Sequence, residues 1–346
     1  MKQRLIFFVL LGALAALIGC ATARPNELVV MTHDSFDIGE AVIAAFEEKH
    51  GVKVTILKSG DAGEALNKAI LSKGNPLADL FFGVDNTFLS RALQEEMFEA
   101  YSSPELENID PALVLDPQHR LLPVDWGDVC LNYDKAWFAD KGIAPPASLE
   151  DLTRPEYKGL TVVENPATSS PGLAFLLATV GHFGAGGYLD YWQALRDNGV
   201  WVESGWSEAY YGQFTAASEG NRPLVVSYAT SPAAEVYYGE GKYAEPPTTA
   251  LLAPGACFRQ IEFVGVLKGT KQRALARAFV DWMLSRPFQE DIPPHMWVFP
   301  ANTQAELPPV FKDWAAQSQS PAVVSPDEIA ANREAWINAW TETVLR

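Results

Sequence analysis

Leu160-Thr161-Val162-Val163-Glu164-Asn165-Pro166-Ala167-Thr168-Ser169-Ser170-Pro171-Gly172-Leu173-Ala174-Phe175 reads as a strand, a polar turn and the start of a helix. The run Leu160–Val163 has strand character, and the apolar run from Leu173 to Val180 is long enough for a buried helix. Ser170 suits the N-cap and Pro171 the first helical position, where a missing N–H costs little. Thr168, Ser169 and Ser170 then crowd the positive end of a helix beside free backbone N–H groups. That setting suits a phosphate, carboxylate or hydroxyl of a small ligand. Read alone, the segment is equally an ordinary capped helix of an α/β fold.

The same alternation recurs on both sides. Upstream, Glu27–Met31 predicts a strand and Glu40–Lys49 a helix, with Val42, Ile43 and Phe46 at helical spacing and Gly51 to end it. Asp34 to Asp37 reads as a turn carrying the cap. Strands are expected at Val52–Leu57 and Leu77–Val84, with helices after Gly60-Asp61 and after Asp85-Asn86. Such β-α-β-α order means a parallel sheet flanked by helices, with ligands beyond the carboxyl ends of the strands. Downstream, a helix is expected over Tyr188–Asp197, strands over Val200–Val202 and Leu224–Tyr228, and a helix from Ser231. Leu121–Tyr133 is a long strand-like run broken by Asp125-Trp126-Gly127-Asp128, which suits a crossover between two lobes. Ile261–Leu267 reads as a strand returning to the first lobe. Thr270–Ser285 and Asp327–Leu345 read as helices, the latter with Trp336 and Trp340 as packing residues. Ile292–Pro300 reads as a rigid proline-rich segment. The expected fold is α/β and two-lobed, each lobe a mainly parallel sheet flanked by helices, with a ligand cleft between them.

The first residues stand apart from this pattern. Lys2 and Arg4 precede an apolar run, Leu5–Ile18, that is short for a membrane span and has the form of a signal peptide. Leu17-Ile18-Gly19-Cys20 resembles the bacterial lipobox, which implies lipid modification of Cys20, export and tethering to a membrane. Residues 1–19 are then a leader and 20–26 a tether. Residues 27–124 with about 257–290 form the first lobe, about 129–250 the second, and 291–346 pack across both. A chain this long exceeds one compact core. The formal charge is −17, and losing Lys2 and Arg4 makes it more negative. Such acidity excludes phosphate-neutralising nucleic-acid binding and favours a cationic ligand. Apart from Cys20 the cysteines are Cys130 and Cys257, for which a disulfide and two free thiols are both open. No metal site matches their separation.

No GxSxG, P-loop, GxGxxG or HExxH occurs, and no cofactor is implied. The expected strand ends instead carry aromatics, hydroxyls and acids, the makings of a small-molecule site. Six segments make the reading specific: Thr32-His33-Asp34-Ser35-Phe36, Gly83-Val84-Asp85-Asn86, Asn165 to Leu173, Gly205-Trp206-Ser207-Glu208-Ala209-Tyr210, Ser227-Tyr228-Ala229-Thr230-Ser231-Pro232 and Trp297-Val298-Phe299-Pro300. In order, over roughly residues 28–346, they resemble the thiamine-binding proteins of bacterial ABC importers. These are two-lobed (type II) periplasmic-binding-protein folds related to ferric-ion and polyamine binders.

The resemblance implies a monomer that carries thiamine, or its phosphates, to permease subunits by hinge closure, without catalysis. It implies that Asp61 bonds the aminopyrimidine, that Trp297 stacks on a ring, and that Trp206 and Tyr228 line the cleft. Thr168, Ser169 and Ser170 fall at the hydroxyl or phosphate end. Asp85, Asp125 and the adjoining Trp126 complete the expected set, the acids adding negative field. Two positions depart from the family pattern. His33 stands where a tyrosine is usual, and Ala234 replaces a second cleft tyrosine. Tyr237 and Tyr238 lie one helical turn beyond Ala234. Two alternatives follow: another cationic heteroaromatic ligand, or ferric ion held by Tyr237, Tyr238 and His33, a donor set suited to a hard metal.

Overall fold

The computed structural model describes residues 27–346; the leader, Cys20 and the tether lie outside the described residues. Glu27–Thr32 (β1), Glu40–His50 (α1), Lys53–Lys58 (β2), Ala62–Leu71 (α2), Leu80–Asp85 (β3) and Leu89–Gln94 (α3) form the first alternation. A two-residue strand, Phe98–Glu99 (β4), precedes the long strand Leu122–Asp134 (β5) and the helix Lys135–Lys141 (α4). The second alternation is Thr161–Glu164 (β6), Ser170–Phe183 (α5), Tyr188–Asp197 (α6), Trp201–Glu203 (β7), the single turn Trp206–Glu208 (α7), Leu224–Tyr228 (β8) and Ser231–Tyr238 (α8). Thr248–Ala250 (β9) and Phe258–Leu267 (β10) lead back, followed by Arg273–Leu284 (α9), Arg286–Met296 (α10), Phe299–Pro300 (β11), Pro309–Trp314 (α11) and Pro326–Val344 (α12).

The strands lie in the order β2-β1-β3-β10-β5-β8-β6-β7. Each end is parallel, β1 with β2 and β3 on one side and β6 with β7 and β8 on the other. The middle is antiparallel, because β10 and β5 both cross between the two lobes. One residue stretch of β5, Leu122–Val129, pairs with β10, and the next, Val129–Tyr133, pairs with β8. Asp125, Trp126 and Gly127 therefore interrupt the apolar pattern without interrupting the strand.

Burial explains why these segments hold. Helix α5 has no exposed residue from Ser170 to Val180, so its core face is its whole circumference. Trp192 meets Trp340 edge-to-face with ring centroids 5.5 Å apart, which fastens α12 to α6 through packing. Helix α12 starts at a capping box, Ser325 with Glu328. A disulfide joins Cys130 of β5 to Cys257, the residue before β10, with Cα atoms 4.4 Å apart.

Several expected boundaries shift. The cap of α1 is Gly39, and the Asp34–Asp37 turn lies before it. Asp85-Asn86 does not cap α3, whose N-cap is Phe88. Helix α5 begins at Ser170 with Ser169 as N-cap, one residue earlier than expected. The largest correction concerns Ile292–Pro300. Its first part is helical, because α10 runs through Pro293 and Pro294 to Met296. Burial of Phe288, Gln289 and Ile292 anchors that helix against the loss of two backbone donors. The Gln289 side chain adds two hydrogen bonds, donating to Val124 and Met283 carbonyls.

Candidate functional site

A cavity of about 320 Å³ is lined by residues from both lobes and from the C-terminal segment. Its floor comes from the crossing strand β10, which contributes Gln260 and Glu262, and from His33 at the end of β1. Asp61 and Ala62 bring the start of α2, and Ser170 and Pro171 bring the start of α5. Two aromatic walls complete it.

One wall grows from the turn after β7. Trp206 stacks on Tyr210 at 4.9 Å with the rings 23° apart, and Tyr211 meets Trp206 edge-on at 5.4 Å. The indole N–H of Trp206 donates to Ser227 Oγ, and Tyr210 donates to Glu235. These bonds fix the ring planes. The other wall is Trp297 with Tyr238, ring centroids 5.5 Å apart, and Tyr237 packs on the indole at 5.3 Å without lining the cavity. Trp297 is the residue just past α10, at φ +57°, a region bulky side chains rarely enter. Thr230 holds it there by donating to its carbonyl. Glycine makes room at another wall position: a Cβ on Gly127 would lie 3.0 Å from Tyr228 Cδ1.

The charges are concentrated at the floor. His33 is 7% exposed, and its Nε2 lies 3.2 Å from Glu262 Oε1. Burial lowers the His33 pKa, but Glu262, Asp61 and Asp85 together raise it above the ordinary histidine value. Asp61 Oδ1 accepts from the Ala62 N–H at 2.6 Å as the N-cap of α2. Burial raises the Asp61 pKa, and that N–H together with the His33 charge offsets only part of the rise. Asp85 is pushed up to about 7 by burial and by Glu262, although hydrogen bonds from Thr87 and Phe88 lower it.

Of the residues expected at the site, His33, Asp61, Ser170, Trp206, Tyr228 and Trp297 line the cavity. Asp85, Asp125, Trp126, Thr168 and Ser169 do not. Asp85 and Asp125 lie beneath the floor, fully buried. Trp126 stacks on Phe299 at 4.7 Å, under the Arg259 guanidinium. Thr168 donates to the Ser204 carbonyl at 2.6 Å. Ser169 is buried at the helix start, near enough to Asp61 to lower its pKa but with no partner at hydrogen-bond geometry. The expected hydroxyl end thus reduces to Ser170, whose Oγ accepts from Gln260 at 2.5 Å. Sequence reasoning missed Gln260, Glu262, Tyr211 and His295, and it quoted Ser35, Ser207 and Ser231 only as members of motifs. Glu262 carried a readable signal, a single acid in the apolar run Ile261–Leu267. Among the described residues, no group of His, Cys, Asp or Glu is arranged to hold a metal ion. Of the donor set of the ferric alternative, Tyr238 and His33 line the cavity and Tyr237 does not.

Residues 75–330 match the family described as bacterial extracellular solute-binding protein. This chain belongs to that family. The solute-binding protein is 32% identical to the thiamine-binding periplasmic protein of Salmonella typhimurium, over 94% of this chain and 95% of that one. It is 31% identical to the protein of the same name from Brucella melitensis, over 96% and 97% of the two chains. A solved periplasmic thiamin binding protein superposes with a TM-score of 0.82 at 29% identity, covering 92% of this chain and 96% of its own. The two-lobed arrangement of this solute-binding protein is therefore that of its relatives.

Proposed function

We propose that this chain captures thiamine or a thiamine phosphate outside the cytoplasm and delivers it to an ABC import permease. The observation that carries the reading is the cavity itself. Two groups of aromatic rings and the carboxylates of Asp61 and Glu262 line it, which suits a flat heteroaromatic cation. A ring seated against Trp297 gains roughly 0.5–2 kcal/mol of cation–π attraction. The names of the relatives point to the same ligand. Asp61 offers an acceptor for the aminopyrimidine, and Ser170 with Ser207 and Ser231 offers hydroxyls for the ligand's tail.

In this reading β5 and β10 are the hinge, with residues 27–124 and about 257–290 on one side and about 129–250 on the other. Ligand touches both lobes and favours the closed state by its differential affinity for it. The closed protein then docks on the permease as a monomer, held to the membrane by a lipid on Cys20, and carries out no chemistry on its cargo.

The experiment is to denature freshly purified protein and weigh the released small molecule by mass spectrometry. Thiamine or a phosphate of it is expected. In parallel, thiamine added to emptied protein is expected to quench tryptophan fluorescence. A coloured protein with a phenolate charge-transfer band, and no response to thiamine, would replace this reading with the ferric one.

A further inference from the structure

Glu262 stands in the middle of a row of acids. The sheet register pairs it with Asp85 of β3 on one side and with Asp125 of β5 on the other. Directly paired residues project from the same face, so these carboxylates lie side by side, an arrangement that destabilises a sheet unless something offsets it. Of its two neighbours, only Asp85 is partnered within the protein. Asp85 accepts from the Thr87 N–H and hydroxyl through one oxygen and from Gln260 through the other. Asp125 is 1% exposed, neither oxygen meets a hydrogen-bond donor, and burial followed by the nearby Glu262 charge drives its pKa well up. Of the row, Glu262 alone lines the cavity.

Glu262 is answered by His33, the ring at 3.2 Å, whose Nε2 is buried with no partner at hydrogen-bond geometry. The sheet keeps that place open. Gly83, at φ +107°, sits so close that a Cβ there would lie 2.6 Å from His33 Cδ2. The other charged groups around this end are Asp61 and Asp85 facing His33, Glu164 facing Asp61, Arg333 near Asp85, and Asp37 and His295 on the cleft wall.

We infer that Glu262 is the residue that selects for positive charge on the ligand, and that His33 neutralises its carboxylate only while the cleft is empty. The inference rests on the proposed binding of a cationic solute. A buried carboxylate stays ionised only beside a counter-charge. His33 provides it in the empty protein, and an incoming thiazolium provides it instead, releasing the imidazole proton to solvent. Asp61 does a different job, since one of its oxygens already caps α2. Its remaining acceptor suits a neutral N–H donor.

The test compares thiamine with 3-deazathiamine, the neutral isostere in which a thiophene replaces the thiazolium, by calorimetry. Wild-type protein is expected to bind thiamine about tenfold or more tightly than the analogue, and Glu262→Gln to reduce that preference to about threefold or less. The ratio cancels any general damage to the cleft. An unchanged ratio in Glu262→Gln overturns the assignment. Thiamine titrations near pH 6.5, in two buffers of different ionisation enthalpy, are expected to show proton release in wild type and none in His33→Gln. Release persisting in that variant overturns the role of His33. If wild-type protein binds thiamine and the analogue equally, this inference alone fails. If it binds neither, the functional reading fails and takes the inference with it.

Discussion

Trp297 combines two unusual properties: a left-handed backbone and an indole on the cavity wall. Strain of that kind persists only where surrounding contacts over-determine it. Here the Thr230 hydroxyl grips the carbonyl, Tyr238 accepts from the indole N–H, and Phe311 lies behind the ring at 6.4 Å. We expect Trp297→Ala to raise the thiamine Kd by about tenfold or more, since it removes ring contact area as well as the cation–π attraction. An unchanged Kd by calorimetry would remove Trp297 from the binding surface. Asp61 both caps α2 and lines the cavity. Asp61→Asn retains an acceptor oxygen for the Ala62 N–H, so melting of the empty protein should move by no more than about 0.5 kcal/mol in stability while affinity falls. A lower melting temperature with unchanged affinity would make the residue a cap and nothing more.

The crossing strands β5 and β10 join the two halves of the sheet. Strand β5 spends its first half on β10 and its second on β8, so it belongs to both lobes. The Cys130–Cys257 disulfide ties it to the start of β10 across a sequence separation of 127 residues. Closing so long a loop restricts the unfolded chain, and such bridges contribute about 2–5 kcal/mol. Cys130→Ser with Cys257→Ser is expected to lower the urea midpoint accordingly while leaving thiamine affinity within about twofold, because neither sulfur lines the cavity. A large affinity loss with an unchanged midpoint would make the bridge part of the site. Helix α10 is the other element that matters. It carries His295 and Met296 to the cavity edge and delivers Trp297 at its end, and the Asp291 carboxylate ties it to the Gly39 N–H at the start of α1.

For the whole molecule, the buried acids set how stability responds to pH. Asp85 binds its proton up to about pH 7 in the folded protein, against about 3.9 in an unfolded chain. The folded state therefore holds more protons across that interval, and stability falls as pH rises. His33 acts with the same sign. Its pKa is raised on folding, so its contribution is complete below the unfolded value and is lost as pH climbs through the folded one. The overall negative charge adds repulsion in that direction. Urea midpoints of the empty protein at constant ionic strength are expected to drop between about pH 5.5 and pH 8, by on the order of 1–3 kcal/mol in stability. An equal or higher midpoint at the upper pH would show that the floor acids are ionised without penalty.

The two-lobed α/β architecture was legible in the chain because its signals are local. Apolar strands, capped helices such as Ala62–Leu71 and terminating glycines such as Gly51 repeat in order, and Tyr188–Asp197 has the same limits in both readings. The aromatic members of the site were legible too, since Trp206, Tyr228 and Trp297 lie in short recognisable motifs at strand and helix ends. What the sequence left undecided depends on neighbours far away in the chain. Thr168, Ser169 and Ser170 look alike in order, yet one bonds a carbonyl, one is buried, and one reaches the cleft. Two prolines predict a break where packing of Phe288 and Ile292 sustains a helix. Glu262 reads as an acid in a strand, and only the pairing of β10 with β3 and β5 sets it between Asp85 and Asp125 and opposite His33. Periodicity fixes which residues share an element; the energy of a buried charge depends on what faces it across the sheet, and that was decided by the tertiary structure.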